Sequence, residues 1–229
     1  MPTTKKTLMF LSSFFTSFGA FVVLCAILGT HEWVSSTIAI SDSSSNGSIV
    51  ITYGLFRGQS TQELHGGLAE GDKDFEVLGT LNESSPKSLH SVVILFLVLS
   101  LSTSLLSSGF TFYNSISNPY QTFLGPLGVY TWSGLSASLT FLALVLFVGN
   151  VQSNGLSEEL AQALYPLHPS ATHGEKTHRY GYSFWLLLLV IPLDVSTVVI
   201  LVFYQKARHR QKQQQRKPIE DAPRDGILF

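Results

Sequence analysis

The chain has 229 residues, 45% of them hydrophobic and 13% charged, with a formal net charge of −1 at pH 7 and a mean hydropathy of +0.27. Its apolar residues concentrate in four blocks of about 20, the length that crosses a ~30 Å hydrocarbon core as a helix; an ordinary soluble domain is excluded, because its buried helices rarely run so long without charge. The single cysteine, Cys25, excludes an internal disulfide framework, and the charge pattern gives nucleic-acid binding no support.

Residues 1–7 are a short basic lead, carrying Lys5 and Lys6. The first span is predicted over 8–29. It reads as a retained helix rather than a cleaved signal peptide, because the run is long and no small-x-small site ends it before "HEW". Residues 30–90 form a loop with eight acidic residues against three basic ones, Arg57, Lys73 and Lys87. Within it, "STIAI" (36–40) and "SIVITYGLFRG" (48–58) alternate with period two, so that Ile49, Ile51, Tyr53 and Leu55 share one face. The intervening "SDSSSNGS" holds the Asn46-Gly47 turn dipeptide and predicts a hairpin with Asn46 at its tip. "FEVLGTL" (75–81) reads as a third strand. A lone hairpin is marginal in water. The strands are therefore expected to form a small sheet resting on the helix ends, with Trp33 packed beneath it.

The second span is predicted over 91–113 and the third over 127–149. The loop between them, 114–126, is uncharged, is limited by Pro119 and Pro126, and offers Tyr113, Tyr120 and Phe123 to the membrane interface. In the next segment, 150–180, "NGLSEELAQALY" predicts a short helix with Ser157 as its cap. Glu158 and Glu159 occupy its first turn, and Leu156, Leu160 and Leu164 form its apolar stripe. "HPSATHGEKTH" reads as a flexible loop. The fourth span is predicted over 181–204, and 205–229 as a polar, basic, Gln-rich disordered tail.

Nine of the fourteen Lys and Arg residues lie on the two termini. With an even number of spans, both termini are expected in the cytoplasm and the 30–90 loop on the extracellular or lumenal side. The only two N-glycosylation sequons, at Asn46 and Asn82, both fall in that loop.

Few residues suggest chemistry. Asp194 is the one strongly ionisable side chain inside a span, two residues after Pro192, and an intramembrane acid is a functional candidate by default. The structural reading is a protonated or hydrogen-bonded Asp; the alternative is a small pore or transporter using it. Ser100, Ser104 and Ser108 on the second span, and Gly134 and Ser138 on the third, recur at the four-residue spacing that lets helices approach closely. No histidine lies in a span to activate a serine and no phosphate loop occurs, so no catalytic residue and no cofactor are expected. His168, His173 and His178 lack the cysteine or paired carboxylate that would complete a zinc site, so no metal is expected. The basic tail can touch anionic lipid. The terminal Ile227, Leu228 and Phe229 suit insertion into a PDZ groove.

The first span ending in Trp33, followed by "YGLFRG" (Tyr53, Gly54, Leu55, Phe56), resembles the W…GLW pattern of the claudin-like tetraspan superfamily. Within that superfamily, "FTFYNSISNPYQTFLGPLGVYTW" (110–132) and "YGYSFW" (180–185) resemble the clarins over all four spans. The resemblance implies an all-α membrane protein: a four-helix bundle carrying a small extracellular β-sheet. It also implies a non-enzymatic organiser or auxiliary subunit of membrane and cytoskeletal assemblies, tied to sensory hair cells and hearing, with unidentified membrane or cytoskeletal partners. One departure stands out. Phe56 replaces the last Trp of the claudin pattern, and Gln59 stands where claudins place their first cysteine, so no disulfide pins this sheet.

Overall fold

The computed structural model describes residues 3–41, 46–64, 69–82, 84–117, 125–166 and 176–220. Four long helices carry the apolar blocks: α1 (Thr3–Gly29), α3 (Ser85–Ile116), α4 (Pro126–Gln152) and α6 (Tyr182–Glu220). Between α1 and α3 lie β1 (Val34–Ser41), β2 (Asn46–Tyr53), β3 (Arg57–Leu64), β4 (Ala69–Glu76) and the single turn α2 (Val77–Thr80). Between α4 and α6 lie α5 (Leu156–Leu164) and β5 (Lys176–Tyr180). All four long helices meet the length and hydropathy of membrane spans, and only 28–33% of the most apolar window of each is buried. The remaining apolar surface, including Leu95, Leu105, Phe141, Trp185 and Phe203, faces outward, as lipid requires.

The five strands form one antiparallel sheet in the order β4-β3-β2-β1-β5. The expected hairpin is β1–β2, with Ser41 opposite Asn46. Asn46 therefore opens β2 rather than sitting in a turn, since it pairs with Ser41. Three strands differ from expectation. β3 was not foreseen, the strand expected over 75–81 ends at Glu76 and gives way to α2, and the end of the stretch read as a flexible loop, from Lys176, becomes β5 by pairing with β1. The ladder from β3 carries the pairing outward to Glu76, opposite Arg57, and Val77 then turns inward into the core.

One apolar core runs from the sheet into the bundle. Ile38, Ile49, Ile51, Tyr53 and Leu55 from the sheet meet Leu156, Leu160 and Tyr165 from α5 and Phe147 and Val151 from α4, with Leu24 and Ile27 of α1 and Leu97 of α3 beneath. Ser157 does not cap α5. Gly155, at φ 66°, precedes the helix in the left-handed conformation that glycine adopts freely, and Ser157 is the second residue of the helix, fully buried. Its hydroxyl lies 2.8 Å from both the Ser36 hydroxyl and the Tyr53 phenol. The Ser36 hydroxyl is in turn 2.8 Å from His178 Nδ1 on β5. Burial pushes the Tyr53 phenol well above its ordinary pKa, so it stays neutral.

The tail expected to be disordered from 205 continues α6 as helix to Glu220. Lys, Arg and Gln are good helix formers, and a helix already nucleated in the membrane extends one residue at a time without a new nucleation cost.

Burying the Tyr53 side chain is worth about 1.5–3 kcal/mol, whereas Thr52 is half-buried beside Ser35. Tyr53→Asp is expected to reduce delivery to the cell surface severely and Thr52→Asp only mildly. Surface biotinylation of the two variants checks this, and equal delivery would contradict the register.

Candidate functional site in the bundle interior

The bundle holds two apolar clusters with a polar layer between them. The larger cluster joins the sheet; the smaller, at the other end, comprises Phe10, Val129, Leu201 and Tyr204. The layer draws on all four long helices: Ser13 and Ser17 of α1, Ser100, Ser104 and Ser107 of α3, Ser133, Ser136 and Thr140 of α4, and Asp194 and Thr197 of α6, all buried. Small hydroxyl residues suit this position, since they let backbones approach and bond across the gap.

The cross-links are short. Ser100 Oγ lies 2.7 Å from Thr140 Oγ1 and 3.1 Å from Ser136 Oγ, and Ser107 Oγ lies 2.6 Å from Ser133 Oγ, which ties α3 to α4. Thr16 Oγ1 lies 2.8 Å from Thr197 Oγ1, which ties α1 to α6. Ser104 Oγ reaches the Ser17 carbonyl at 3.5 Å. At the sheet end, Asn150 Nδ2 donates to the Pro86 carbonyl at 2.9 Å, and the Thr30 and Ser183 hydroxyls meet at 2.7 Å.

Asp194 sits in this layer at 1% exposure. Neither of its carboxylate oxygens is in hydrogen-bond geometry with a described residue, and Ser13 Oγ and Ser17 Oγ are likewise buried without a partner. The Ser136 hydroxyl of α4 faces Asp194 within electrostatic reach. Thr197, one turn along α6, already holds α1. Asp194 thus shares its buried layer with hydroxyl residues of all four long helices.

Ser100, Ser104 and Ser108 lie on the buried face of α3. Gly134 and Ser138 do not lie where the spacing placed them: both are exposed, and Ser138 bonds back to the Gly134 carbonyl at 2.8 Å. The buried hydroxyl residues of α4 are Ser133, Ser136 and Thr140 instead. Leu135 and Phe141 beside them point outward, so the helix turns its bulkier apolar side to lipid.

The motif residues gather at the opposite end of the larger cluster. Trp33, Tyr53 and Leu55 are fully buried, Gly54 packs on the Thr30 backbone, and Phe56 is exposed. Trp33 Nε1 donates to the Ile27 carbonyl at 3.0 Å, and its ring meets Phe147 edge-on at 5.0 Å between centroids. His90 escaped the sequence reading. It is fully buried, and its Nε2 lies 2.8 Å from the Leu55 carbonyl, which fixes it as the N–H donor to that carbonyl. Its place just before the charge-free block was the available signal. Asn82 is exposed, and His178 is the one member of the histidine series within the described residues. No group of His, Cys, Asp and Glu among the described residues could hold a metal ion. Ile227, Leu228 and Phe229 lie outside the described residues.

Four apolar helices closed around a polar layer, with an antiparallel sheet seated on a buried tryptophan at one end, define a claudin-like four-span membrane protein. A family model described as Clarin-2-like matches residues 4–202. Clarin-3 of Homo sapiens is 71% identical over 229 residues, covering 100% of both chains, and Clarin-3 of Mus musculus is 68% identical over the same span. Clarin-1 of Homo sapiens is 29% identical over 201 residues, 82% of this chain and 83% of that one. The chain belongs to the clarin family.

Asparagine matches Asp194 in size but cannot ionise; leucine fills the layer with a bulkier group that cannot hydrogen-bond. Asp194→Asn is expected to reach the surface at wild-type level and to keep its protein associations, with Asp194→Leu clearly reduced. Surface biotinylation paired with co-precipitation checks this. Normal delivery of Asp194→Asn together with complete loss of activity would assign the acid an ion- or proton-coupling role instead.

Proposed function

We propose that this clarin-family chain is a non-enzymatic organiser or auxiliary subunit that joins membrane and cytoskeletal assemblies at the plasma membrane. The observation that carries this reading is the continuity of α6. It begins one residue after Gly181, whose N–H bonds the Trp33 carbonyl under the sheet, and it ends at Glu220 among basic residues. Its 39 residues make a rod of about 58 Å, longer than a bilayer core. Sheet and basic extension are then the two ends of one element. What binds the first is mechanically connected to what binds the second.

The orientation that fits has the sheet outside, both termini in the cytoplasm, and glycans on Asn46 and Asn82; the basic termini and acidic loop support it. The terminal Ile227, Leu228 and Phe229 would engage a PDZ protein, and the basic extension the anionic lipid around it. Family resemblance connects the role to sensory hair cells. A second reading, a small pore or transporter, is favoured by one observation, the buried and unpartnered oxygens of Asp194.

Proximity labelling from an enzyme fused to the N-terminus, which leaves the C-terminal carboxylate free, is expected to mark membrane-scaffold and cytoskeletal proteins. PDZ proteins among them should disappear when residues 227–229 are deleted. Glycosidase treatment of the same samples should shift gel mobility, and Asn46→Gln with Asn82→Gln should abolish the shift. Labelling confined to the outside of the cell would contradict the topology. A labelled set without scaffold proteins, together with ion flux that Asp194→Asn abolishes, would favour the pore.

A further inference from the structure

Two adjoining crevices open where the sheet meets the end of α1. The larger, about 320 Å³, is lined by His31, Arg57, Asp74 and Glu76 and backed by Gly58 and Phe75. The smaller, about 200 Å³, shares His31 and Arg57 and is walled by Leu28 and Phe56. Leu28 and Gly29 end the first apolar span, so the pair of crevices lies at headgroup depth on the sheet side of the membrane. Phe56 is 45% exposed there, an aromatic ring at the level where such rings anchor to the bilayer interface.

The backbone here is fixed. Gly54 N–H donates to the Arg57 carbonyl at 2.9 Å, and Val77 N–H donates to the Phe56 carbonyl at 2.9 Å. Gly58 packs so closely on the Phe75 ring that no side chain fits between them.

The charges are arranged in a particular way. Arg57 opposes Glu76 across the β3–β4 ladder, and Gln59 opposes Asp74 two pairs along, so all four project to the same face. No salt bridge joins Arg57 to Glu76, although they are neighbours, and both are exposed. The other bases of the 30–90 segment are engaged elsewhere: Lys73 lies over the Tyr165 ring at 4.7 Å, and Lys87 Nζ donates to the Leu81 carbonyl at 3.2 Å. A cation beside two carboxylates, above an apolar slot at headgroup depth, complements a zwitterion with an apolar tail.

We propose that these crevices bind the headgroup of a zwitterionic phospholipid of the sheet-side leaflet. Its phosphate lies against Arg57 and His31, its ammonium against Asp74 and Glu76, and its glycerol end against Leu28 and Phe56. Arginine suits the phosphate through charge-assisted hydrogen bonds. Phosphatidylglycerol presents no ammonium and sets its negative charge beside two carboxylates, which selects against it. Free phosphocholine fills the larger crevice and leaves the smaller one empty.

Native mass spectrometry of the purified full chain, released from detergent micelles, tests this with dioleoylphosphatidylcholine, dioleoylphosphatidylglycerol and phosphocholine as separate probes. Retention of one phosphatidylcholine, about tenfold above phosphatidylglycerol, is expected, with no retained phosphocholine. Arg57→Gln should lower phosphatidylcholine retention about tenfold. Asp74→Asn with Glu76→Gln should erase or invert the preference between the two lipids. Arg179→Gln, an exposed cation on β5 away from the crevices, should change nothing. All of these side chains are exposed, so the variants keep the fold, which circular dichroism verifies. Equal retention of both lipids by the unaltered chain would overturn the proposal, as would phosphatidylcholine retention indifferent to both sets of substitutions. Phosphocholine held as firmly as the lipid would assign the site to a soluble choline ester and overturn it equally.

Discussion

The indole of Trp33 donates its one N–H to the Ile27 carbonyl at the end of α1 while its ring lies edge-on to Phe147 of α4. Its backbone N–H bonds the Tyr53 carbonyl at 3.1 Å, and its carbonyl accepts from Gly181 at 2.9 Å. One residue therefore touches two membrane helices, the end of β2 and the approach to α6. The sheet has no disulfide to hold it, since Cys25 lies exposed on α1. Around the indole, His90 holds the Leu55 carbonyl, and Gly54 and Gly181 admit the Thr30 and Glu32 backbones at distances that exclude a Cβ. The hydroxyl chain from Tyr53 through Ser157 and Ser36 to His178 joins β2, α5, β1 and β5 above it. Each buried polar group there is worth its bond chiefly because leaving it unmade would cost more.

Deeper in the bundle the logic changes. Lipid tails are as apolar as leucine, so apolar burial gives helices little reason to associate; close packing and interhelical hydrogen bonds take over. That is why serine and threonine fill the interior while phenylalanine and leucine face outward. Asp194 belongs to this layer but lacks a bonded partner in it, and a carboxyl at such a depth costs about 3 kcal/mol or more if ionised.

The four spans were legible because charge disappears over each block, and the β1–β2 hairpin because Ile49, Ile51 and Tyr53 recur with period two on one face. β3 and β4 were not. "RGQSTQEL" and "AEGDKDFE" are mostly polar, and pairing makes them strands, β3 to β2 and β4 to β3. β5 is five residues whose partner, β1, lies more than a hundred residues earlier, a pairing no local pattern records. Gly134 and Ser138 were placed on the wrong face because α4 is apolar all round and spacing alone does not say which stripe is inward. Ser157 read as a cap because a serine before two glutamates usually is one; the left-handed Gly155 displaced it. Of the candidate site, Asp194 and Ser100 and Ser104 of α3 could be read directly, whereas Ser107 was missed. The hydroxyls of α1 and α4 that surround them could not, since their convergence is a property of helix packing.

The central claim is that sheet and bundle share one core through Trp33 and open together. Hydrogen–deuterium exchange on the full chain in lipid nanodiscs tests it, comparing the unaltered protein with Trp33→Ala. Loss of a buried aromatic costs about 3–5 kcal/mol, a change of a hundredfold or more in local opening. The account predicts that protection falls together in β1, β2, β5 and the sheet-side ends of α1 and α4, while amides beside Ser107 and Ser133 keep theirs. Loss confined to the strands, with the helix ends as protected as before, would show two separable units and contradict it.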